Sequence, residues 1–301
     1  MDHHGTTLVY GGTGAQGSAI VRVLSQRGYR VRALTRSSEK AGCITKLGAE
    51  PVYGDLSDAH GLEEASRGCD NVVFTLPLVF DMDTAMNWAE NVIRASQSAR
   101  VKRFVFNASG PIPEEETGVT ALDIKRCISA LLSESRLPVI TLEPTLYMGN
   151  LAAPWSVPAI VHEGRVAYPL PRDLKVSWIS WESLAEFVAA ALERPALSGR
   201  SFRVAGPEAL AGTDIADAFS SCLRKPVSYF PVPLADFESG LKPVLGEFAA
   251  GEIARLYAWF TEDGARWLDP DPVPAREALG VTPQRFSDWI RTVNWTAMAN
   301  A

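Results

Sequence analysis

Residues Gly11–Gly17, which read GGTGAQG, have the composition of a loop that approaches a phosphate group. They follow a short apolar run and precede a stretch with helical periodicity, and they fit the pattern G-x-G-x-x-G. Glycines permit a tight turn and let the backbone come close to a pyrophosphate, while the N–H groups at the start of the helix attract the anion. The loop therefore predicts a dinucleotide site rather than a tight turn that binds nothing. The expected contacts are Gly11, Thr13, Gly14, Ala15, Gln16 and Gly17.

The residues that end the second predicted strand select between two dinucleotides. An acidic residue about 20 positions past the loop would bind the ribose hydroxyl of NAD, whereas an arginine suits the 2′-phosphate of NADP. This chain has Thr35-Arg36-Ser37-Ser38 there, without an acid. Arg36 can form a bidentate hydrogen bond to a phosphate, and Ser37 can add a hydroxyl. Alternatively, Arg36 is a solvated surface arginine. We therefore expect NADPH or NADP, with NAD less favoured.

Asp55-Leu56 follows the third predicted strand. Asp55 is expected beside the adenine, where it would accept a hydrogen bond from the amino group. A turn or a helix N-cap is an equally good use of this aspartate, and the two uses are compatible.

The elements around these residues alternate between strands and helices, which predicts βαβ crossovers and a parallel sheet. The predicted strands are Thr7–Tyr10, Arg30–Leu34, Glu50–Tyr53, Asn71–Leu76, Phe104–Asn107 and Pro138–Glu143. The predicted helices are Ser18–Gln26, Lys40–Leu47, Gly61–Ser66, Asp83–Ser98 and Ala121–Glu134. The fold class is thus α/β, with a Rossmann-type doubly wound parallel sheet.

The second half of the chain is richer in proline and less regular. We predict another strand–helix–strand block from Val176–Ile179, Trp181–Leu192 and Ser201–Val204, and later a helix over Leu241–Leu256. A last helix is expected to open at Thr282-Pro283. The predicted domains are therefore an NAD(P)-binding domain of residues 1–150 plus 176–206, and a smaller α/β substrate-binding domain of 151–175 and 207–301.

Composition excludes several classes of protein. The chain has 301 residues, 47% of them hydrophobic and 21% charged, with a net charge of −6 and no block of lysine and arginine. Its apolar stretches are shorter than the roughly 20 residues of a membrane span. We expect neither a nucleic-acid nor a membrane partner. The four cysteines lack a C-x-x-C pair, so we expect reduced thiols in a cytoplasmic protein. The histidines lack metal-ligand spacing, so we expect no metal. We expect a monomer or a homodimer.

Several segments together identify a resemblance. GGTGAQG, RALTRS, GDLSD, VKRFVFNASG, LEPTLYMGNL and WISWESLAEFVAAAL resemble the NmrA-like group of atypical short-chain dehydrogenases/reductases. The resemblance covers nearly the whole chain. It implies a Rossmann domain, a small C-terminal substrate domain and bound NADP(H) or NAD(H). Members of the group include reductases of quinones and of aromatic or phenolic compounds, and also redox-sensing regulators.

The resemblance also implies catalytic residues. The wider superfamily uses Tyr-x-x-x-Lys, and Lys125 matches the lysine, but Ala121 replaces the tyrosine. Lys125 can still bind the nicotinamide ribose, and in related phenylpropanoid reductases such a lysine is the proton donor or base. Ser109 resembles the active-site serine of the superfamily. Asn107 and Ser109 end the fifth strand, at the edge where ligands bind in open α/β sheets.

The family pattern implies that two further loops contact the cofactor. Residues 144–150, PTLYMGN, include Pro144 and Tyr147, and the family places this loop against the nicotinamide. Tyr147 is a phenol that could replace the missing one, although most aromatic residues pack in a core. Thr75-Leu76-Pro77 resembles the loop along the central ribose of the cofactor.

Three functions are consistent with this sequence. The first is an NADPH-dependent reductase of a small, aromatic or quinone, enone or carbonyl substrate. The second is a non-catalytic NADP(H) sensor, which the missing tyrosine would suit. The third is a cyclase or isomerase on the same scaffold, because a fold does not fix a function.

Overall fold

The computed structural model describes residues 4–299, and within them nine strands form two parallel sheets. The strands are β1 Thr6–Tyr10, β2 Arg30–Thr35, β3 Glu50–Tyr53, β4 Asn71–Thr75, β5 Arg103–Asn107, β6 Val139–Pro144, β7 Arg165–Tyr168, β8 Ser201–Val204 and β9 Ser228–Pro231.

Fourteen α-helices lie in the same described range. They are α1 Ala15–Gln26, α2 Ser38–Lys46, α3 Ala59–Ser66, α4 Met82–Ser98, α5 Thr120–Glu134, α6 Val157–Val161, α7 Trp181–Leu192, α8 Gly212–Leu223, α9 Leu234–Leu245, α10 Glu247–Glu262, α11 Ala265–Leu268, α12 Val273–Leu279, α13 Phe286–Thr292 and α14 Trp295–Ala299. Short 3₁₀ turns cover Met148–Ala152 and Pro195–Leu197.

Seven strands form one all-parallel sheet in the order β3-β2-β1-β4-β5-β6-β8. Strands β1, β4 and β6 are buried along their whole length, as expected for a sheet covered on both faces. The strand order reverses between β1 and β4, which is the arrangement of a dinucleotide-binding Rossmann sheet. The predicted α/β fold class is therefore confirmed.

The chain divides into two compact units. The first unit comprises 1–144, 181–204 and 273–281, and the second comprises 145–180, 205–272 and 282–301. The predicted first domain ran to residue 150, whereas residues 145–150 belong to the second unit, and the bounds differ at two further places. The predicted strand Val176–Ile179 forms only isolated bridges, from Val176 to Leu210 and from Ile179 to Tyr147, so it stays with the second unit. Helix α12 packs against β8 and α7 and joins the first unit.

Helix α7 returns the chain to the first unit and packs against α1. Nine of its twelve residues are buried, so it is apolar nearly all round and must be covered on every side. Ion pairs lie at the rim of this packing: Arg22 Nη2 is 2.7 Å from Glu182 Oε1, and Arg27 Nη1 is 2.9 Å from Glu193 Oε1. Helix α7 thus fixes the outer face of α1, the helix that follows the glycine loop.

The second unit contains the parallel pair β7–β9 and a cluster of aromatic side chains. The hydroxyls of Tyr168 and Tyr257 are hydrogen-bonded to each other inside this cluster, and Asn150 Nδ2 donates to the Tyr168 hydroxyl at 3.4 Å. Burial raises the pKa of Tyr257 to about 12. These phenols stay protonated and act as structural hydrogen-bonding groups.

Two predicted helices of this unit are wrong in extent. The predicted Leu241–Leu256 is two helices, because Gly246 adopts φ of +82° between α9 and α10. The last stretch does not become helical at Pro283, since α13 begins only at Phe286. Among residues 4–299, no helix is long and apolar enough to span a membrane, and no cluster of metal-ligating side chains occurs.

Candidate functional site

The glycine loop brings the first turn of α1 directly against the end of β1. Gly11 has φ of +76°, a conformation that glycine adopts readily. A Cβ atom on Gly17 would lie 2.0 Å from the Gly11 carbonyl oxygen, and one on Gly12 would lie 2.9 Å from Ala33 Cβ. A side chain at Gly17 would therefore force the helix away from the loop, and one at Gly12 would force the loop away from β2.

Gly14 has a different role from its neighbours. It is the N-cap of α1, is exposed, and has an ordinary φ of −81°. A Cβ atom here would meet only the Gly11 carbonyl oxygen, at 3.5 Å, which is normal van der Waals contact. The fold thus leaves open space in front of the first turn of α1, where helix N–H groups bind anions. This space fits the pyrophosphate of a dinucleotide, with Thr13 and Ala15 on either side.

Arg36 lies just after β2, with 75% of its side chain exposed. Its Nη1 atom is 3.5 Å from Asp55 Oδ2, so the ends of the neighbouring strands β2 and β3 carry a loose ion pair. Ser37 caps α2, since its hydroxyl accepts from the Lys40 N–H at 3.4 Å. Arg36 is thus free to turn toward a phosphate, while Ser37 already has a structural role.

Asp55 forms a turn. Its Oδ1 atom accepts from Ser57 N at 2.8 Å and from Ser57 Oγ at 2.6 Å. These hydrogen bonds, and secondarily Arg36, lower the pKa of the Asp55 carboxyl. Leu56 is buried in the core, and its carbonyl accepts from Asn91 Nδ2 at 2.9 Å. Of the two uses left open for Asp55, the turn is the one that the structure contains, and the adenine contact stays a prediction.

A polar network joins the glycine loop to the ends of β4 and β5. Asn107 Nδ2 lies 2.7 Å from Gln16 Oε1 and 3.2 Å from Thr75 Oγ1. Ser109 Oγ lies 3.0 Å from the same Gln16 oxygen, and Ser109 N donates to Asn107 Oδ1 at 3.2 Å. Ser109 has φ of +56°, which is uncommon for a residue with a side chain and is found at functional sites. Four of the predicted site residues therefore form one connected group.

Lys125 lies one turn into α5, beside the same loop. A Cβ atom on Gly110 would lie 2.6 Å from Lys125 Nζ, so glycine at that position makes room for the amine. Within residues 4–299 no carboxylate forms an ion pair with Lys125, and its side chain is half-buried. Burial lowers the pKa of Lys125 from 10.5 to about 8. An amine of this kind can lose a proton near neutral pH.

Two buried acids that the sequence reasoning missed hold the loop between β5 and α5. Asp123 accepts from Thr117 N at 2.8 Å and from Gly118 N at 3.0 Å. Glu143 accepts from Ile112 N at 3.0 Å. The signal was present for Glu143, because it is the one charge in the apolar strand β6. These carboxylates fix the loop that carries Ser109 and Gly110.

The remaining predicted site residues do not take part in this polar network. Leu76 and Pro77 follow β4 and are half-buried, with Leu76 packed on the core. Pro144 is the buried last residue of β6. Tyr147 belongs to the second unit, where it is 7% exposed and forms a β-bridge with Ile179. Packing thus accounts for Tyr147 as observed, and its catalytic role stays a prediction.

Comparison with known proteins agrees with this geometry. Residues 3–290 match the model of the NmrA-like family. An NAD(P)H azoreductase of Xenophilus azovorans is 30% identical over 256 residues, which are 83% of this chain and 86% of the relative. A photosystem II assembly factor, Ycf39 of Trieres chinensis, is 26% identical over 75% of this chain and 72% of its own length.

A solved structure shows the same fold. Citrobacter sp. triphenylmethane reductase, crystallised with NADP(H), superposes with a TM-score of 0.80 at 18% identity, covering 95% of this chain and 99% of the reductase.

The phosphate site is tested by Gly14→Val. Because a Cβ atom at Gly14 meets only one ordinary contact, the variant should fold, yet its branched side chain fills the space for the pyrophosphate. We expect NADPH binding to be lost in calorimetric titration, with a melting temperature close to that of the wild type. Gly17→Val is the matched control, because it should destabilise the fold itself. Native cofactor affinity in folded Gly14→Val would move the phosphate site elsewhere.

Cofactor selection is tested by Arg36→Ala. A charge-assisted hydrogen bond to the 2′-phosphate is worth roughly 1.5–3 kcal/mol. The variant should therefore bind NADPH about tenfold or more weakly, with NADH binding nearly unchanged. Equal losses for NADPH and NADH would show that Arg36 does not read the phosphate.

The buried amine of Lys125 should destabilise the folded protein at neutral pH. Its folded pKa of about 8 lies below the ordinary 10.5, so folding opposes protonation, and the cost is complete below pH 8 and disappears as the pH rises toward 10.5. Lys125→Met should thus be more stable than the wild type in urea at pH 7, and the gain should shrink at higher pH. The exposed Lys175→Met is the control. A Lys125→Met variant less stable at pH 7 would contradict the assigned burial.

Proposed function

Since the chain belongs to the NmrA-like family, we propose that it is an NADPH-dependent reductase of a small planar electrophile, such as an aromatic compound, a quinone, an enone or another carbonyl compound. One observation carries the proposal. Lys125, an amine with a lowered pKa, lies beside the strand ends that adjoin the glycine loop, and all of these belong to one compact unit. The similarity to an NAD(P)H azoreductase supports the reductase activity, because azo compounds are also conjugated electrophiles.

Different residues of the first unit would bind different parts of the cofactor. The first turn of α1 would bind the pyrophosphate, Arg36 the 2′-phosphate and Lys125 the ribose next to the nicotinamide. Bound NADPH supplies a hydride, which is the part of the chemistry that no side chain provides. The protein contributes the position of the cofactor and a source of protons.

Lys125 is the proposed proton donor. After a hydride reaches the carbon of a carbonyl or quinone, its oxygen needs one proton, and the Lys125 ammonium releases it from Nζ. The amine is then reprotonated from solvent. A pKa of about 8 suits this role, because a general acid works best when its pKa lies near the working pH. Ala121, in the position of the usual tyrosine, carries no group that can do this.

Tyr147 is the second candidate donor, and bound water is the third. The Tyr147 hydroxyl can be removed with little change in packing by Tyr147→Phe. Since Tyr147 is buried and bridged to Ile179, we expect this change to leave turnover nearly intact.

A function without catalysis is the second candidate. The similarity to a photosystem II assembly factor supports it, because that relative is named for assembly and not for a reaction. In this alternative the chain binds NADP(H) and changes its protein partner with the redox state.

The proposed setting of the reductase is the cytoplasm. The four cysteines are free thiols, which suits a reducing compartment. The proposed partner is a small molecule, and the chain would act as a monomer or homodimer without a nucleic acid or a membrane.

The test is NADPH oxidation by the purified chain against a panel of quinones, enones, aromatic carbonyl compounds and azo dyes. We expect turnover with at least one class, falling as the pH rises through about 8. Lys125→Met should lower turnover about 10²–10⁴-fold, the usual cost of losing a general acid. NADPH affinity measured alongside separates this loss from weaker ribose binding.

Two results would contradict the proposal. Cofactor binding without oxidation of NADPH by any member of the panel would favour the non-catalytic function. Full turnover in Lys125→Met would remove the lysine from proton transfer, and a loss confined to Tyr147→Phe would assign the role to the phenol.

A further inference from the structure

The hydrogen bonds around Ser109 have a direction that the backbone fixes. The Ser109 N–H can only donate, so the Asn107 atom 3.2 Å away is the acceptor Oδ1. The other end of that amide is then the donor Nδ2, and it faces Gln16 at 2.7 Å. The Gln16 atom must therefore be the acceptor Oε1. Ser109 Oγ lies 3.0 Å from this same Oε1, so the Ser109 hydroxyl donates its proton to Gln16.

This chain of bonds leaves Ser109 with lone pairs and no proton to offer. A serine hydroxyl has one hydrogen, and here Gln16 Oε1 receives it. The second hydrogen of Asn107 Nδ2 goes to Thr75 Oγ1 at 3.2 Å, so this amide group cannot turn without losing both bonds. Asn107 is fully buried, which excludes water as a replacement partner. While its proton stays on Gln16, Ser109 can only accept a hydrogen bond from the site.

We infer that Ser109 accepts a hydrogen bond from the nicotinamide half of the cofactor, instead of donating one to the oxygen of the substrate. Gln16 is the positioning residue that sets this polarity. A carbonyl or quinone oxygen carries no proton and gives Ser109 nothing to accept. The nicotinamide half carries two kinds of donor, the carboxamide N–H and the ribose O–H. This assignment departs from the resemblance to the active-site serine of the superfamily.

The position of Ser109 agrees with the nicotinamide half. Dinucleotides bind across the point where the strand order reverses, with one nucleotide on each half of the sheet. That point lies between β1 and β4, and Arg36 follows β2 on the first half. Ser109 follows β5 on the second half, which takes the other nucleotide. The inference rests on the proposed cofactor, and the test separates the two.

The test compares the affinity for NADP⁺ with that for its acetylpyridine analogue, in which a methyl group replaces the carboxamide nitrogen. Calorimetric titration measures both without any turnover. If Ser109 accepts from the carboxamide, the wild type should bind NADP⁺ about three- to tenfold more tightly, the value of one neutral hydrogen bond. In Ser109→Ala this preference should disappear. If Ser109 instead accepts from the ribose, Ser109→Ala should weaken both ligands equally.

Gln16 variants test the polarity itself. Gln16→Met keeps the length of the side chain and removes the acceptor, so the Ser109 proton can turn toward the site and the preference for NADP⁺ should fall toward that of Ser109→Ala. Gln16→Glu keeps an oxygen that accepts from Asn107 and Ser109, so it should retain the preference for NADP⁺ over the analogue. The added charge near the pyrophosphate affects the binding of NADP⁺ and of the analogue alike, so the ratio of the two affinities does not depend on that charge. Thermal melting confirms that each variant is folded.

Two results would overturn the inference. Unchanged affinity of Ser109→Ala for both ligands, with turnover lost, would make Ser109 a donor to the substrate. Equal behaviour of Gln16→Met and the wild type would remove Gln16 from the assignment. A wild-type chain that binds neither NADP⁺ nor the analogue would overturn the proposed cofactor, which is a separate failure.

Discussion

The contact between the first turn of α1 and the glycine loop is the constraint on which the site depends. Without a side chain at Gly17, the helix starts directly over the Gly11 carbonyl. This brings the helix N-terminus to the carboxyl edge of the sheet. The same turn carries Gln16 within hydrogen-bonding distance of Asn107 and Ser109. One close approach therefore builds the proposed anion site and orients the polar groups at the strand ends.

Two features at the carboxyl edge of the sheet destabilise the fold, and packing does not explain them. Lys125 is half-buried without a counter-ion, and Ser109 has a left-handed backbone. Each of these is unfavourable for folding, and both lie beside the loop that Asp123 and Glu143 hold in place. Strain and unpaired charge gathered at one place are typical of functional sites, where the surrounding structure compensates for them.

The sequence predicted the parts of the structure that local pattern controls. Buried β-branched strands and the glycine loop were found to within a residue or two, because periodicity and turn chemistry are local properties. The strand at Val176–Ile179 was wrong, since its pairing depends on distant Tyr147 and Leu210. For Lys125 the sequence suggested a role, but the lowered pKa arises from burial, which only the folded chain defines. The direction of the bonds at Ser109 likewise needed the positions of three side chains.

The discontinuity of the first unit has a consequence for how the protein is made. The chain leaves this unit after Pro144 and returns at Trp181 with α7 and β8. Until those residues emerge from the ribosome, β6, a mostly apolar strand, lies at the edge of the sheet and α1 lacks its covering helix. Such edges pair readily with other chains. The nascent first unit therefore passes through an aggregation-prone stage, which ends only when β8 has been synthesised and added to the sheet.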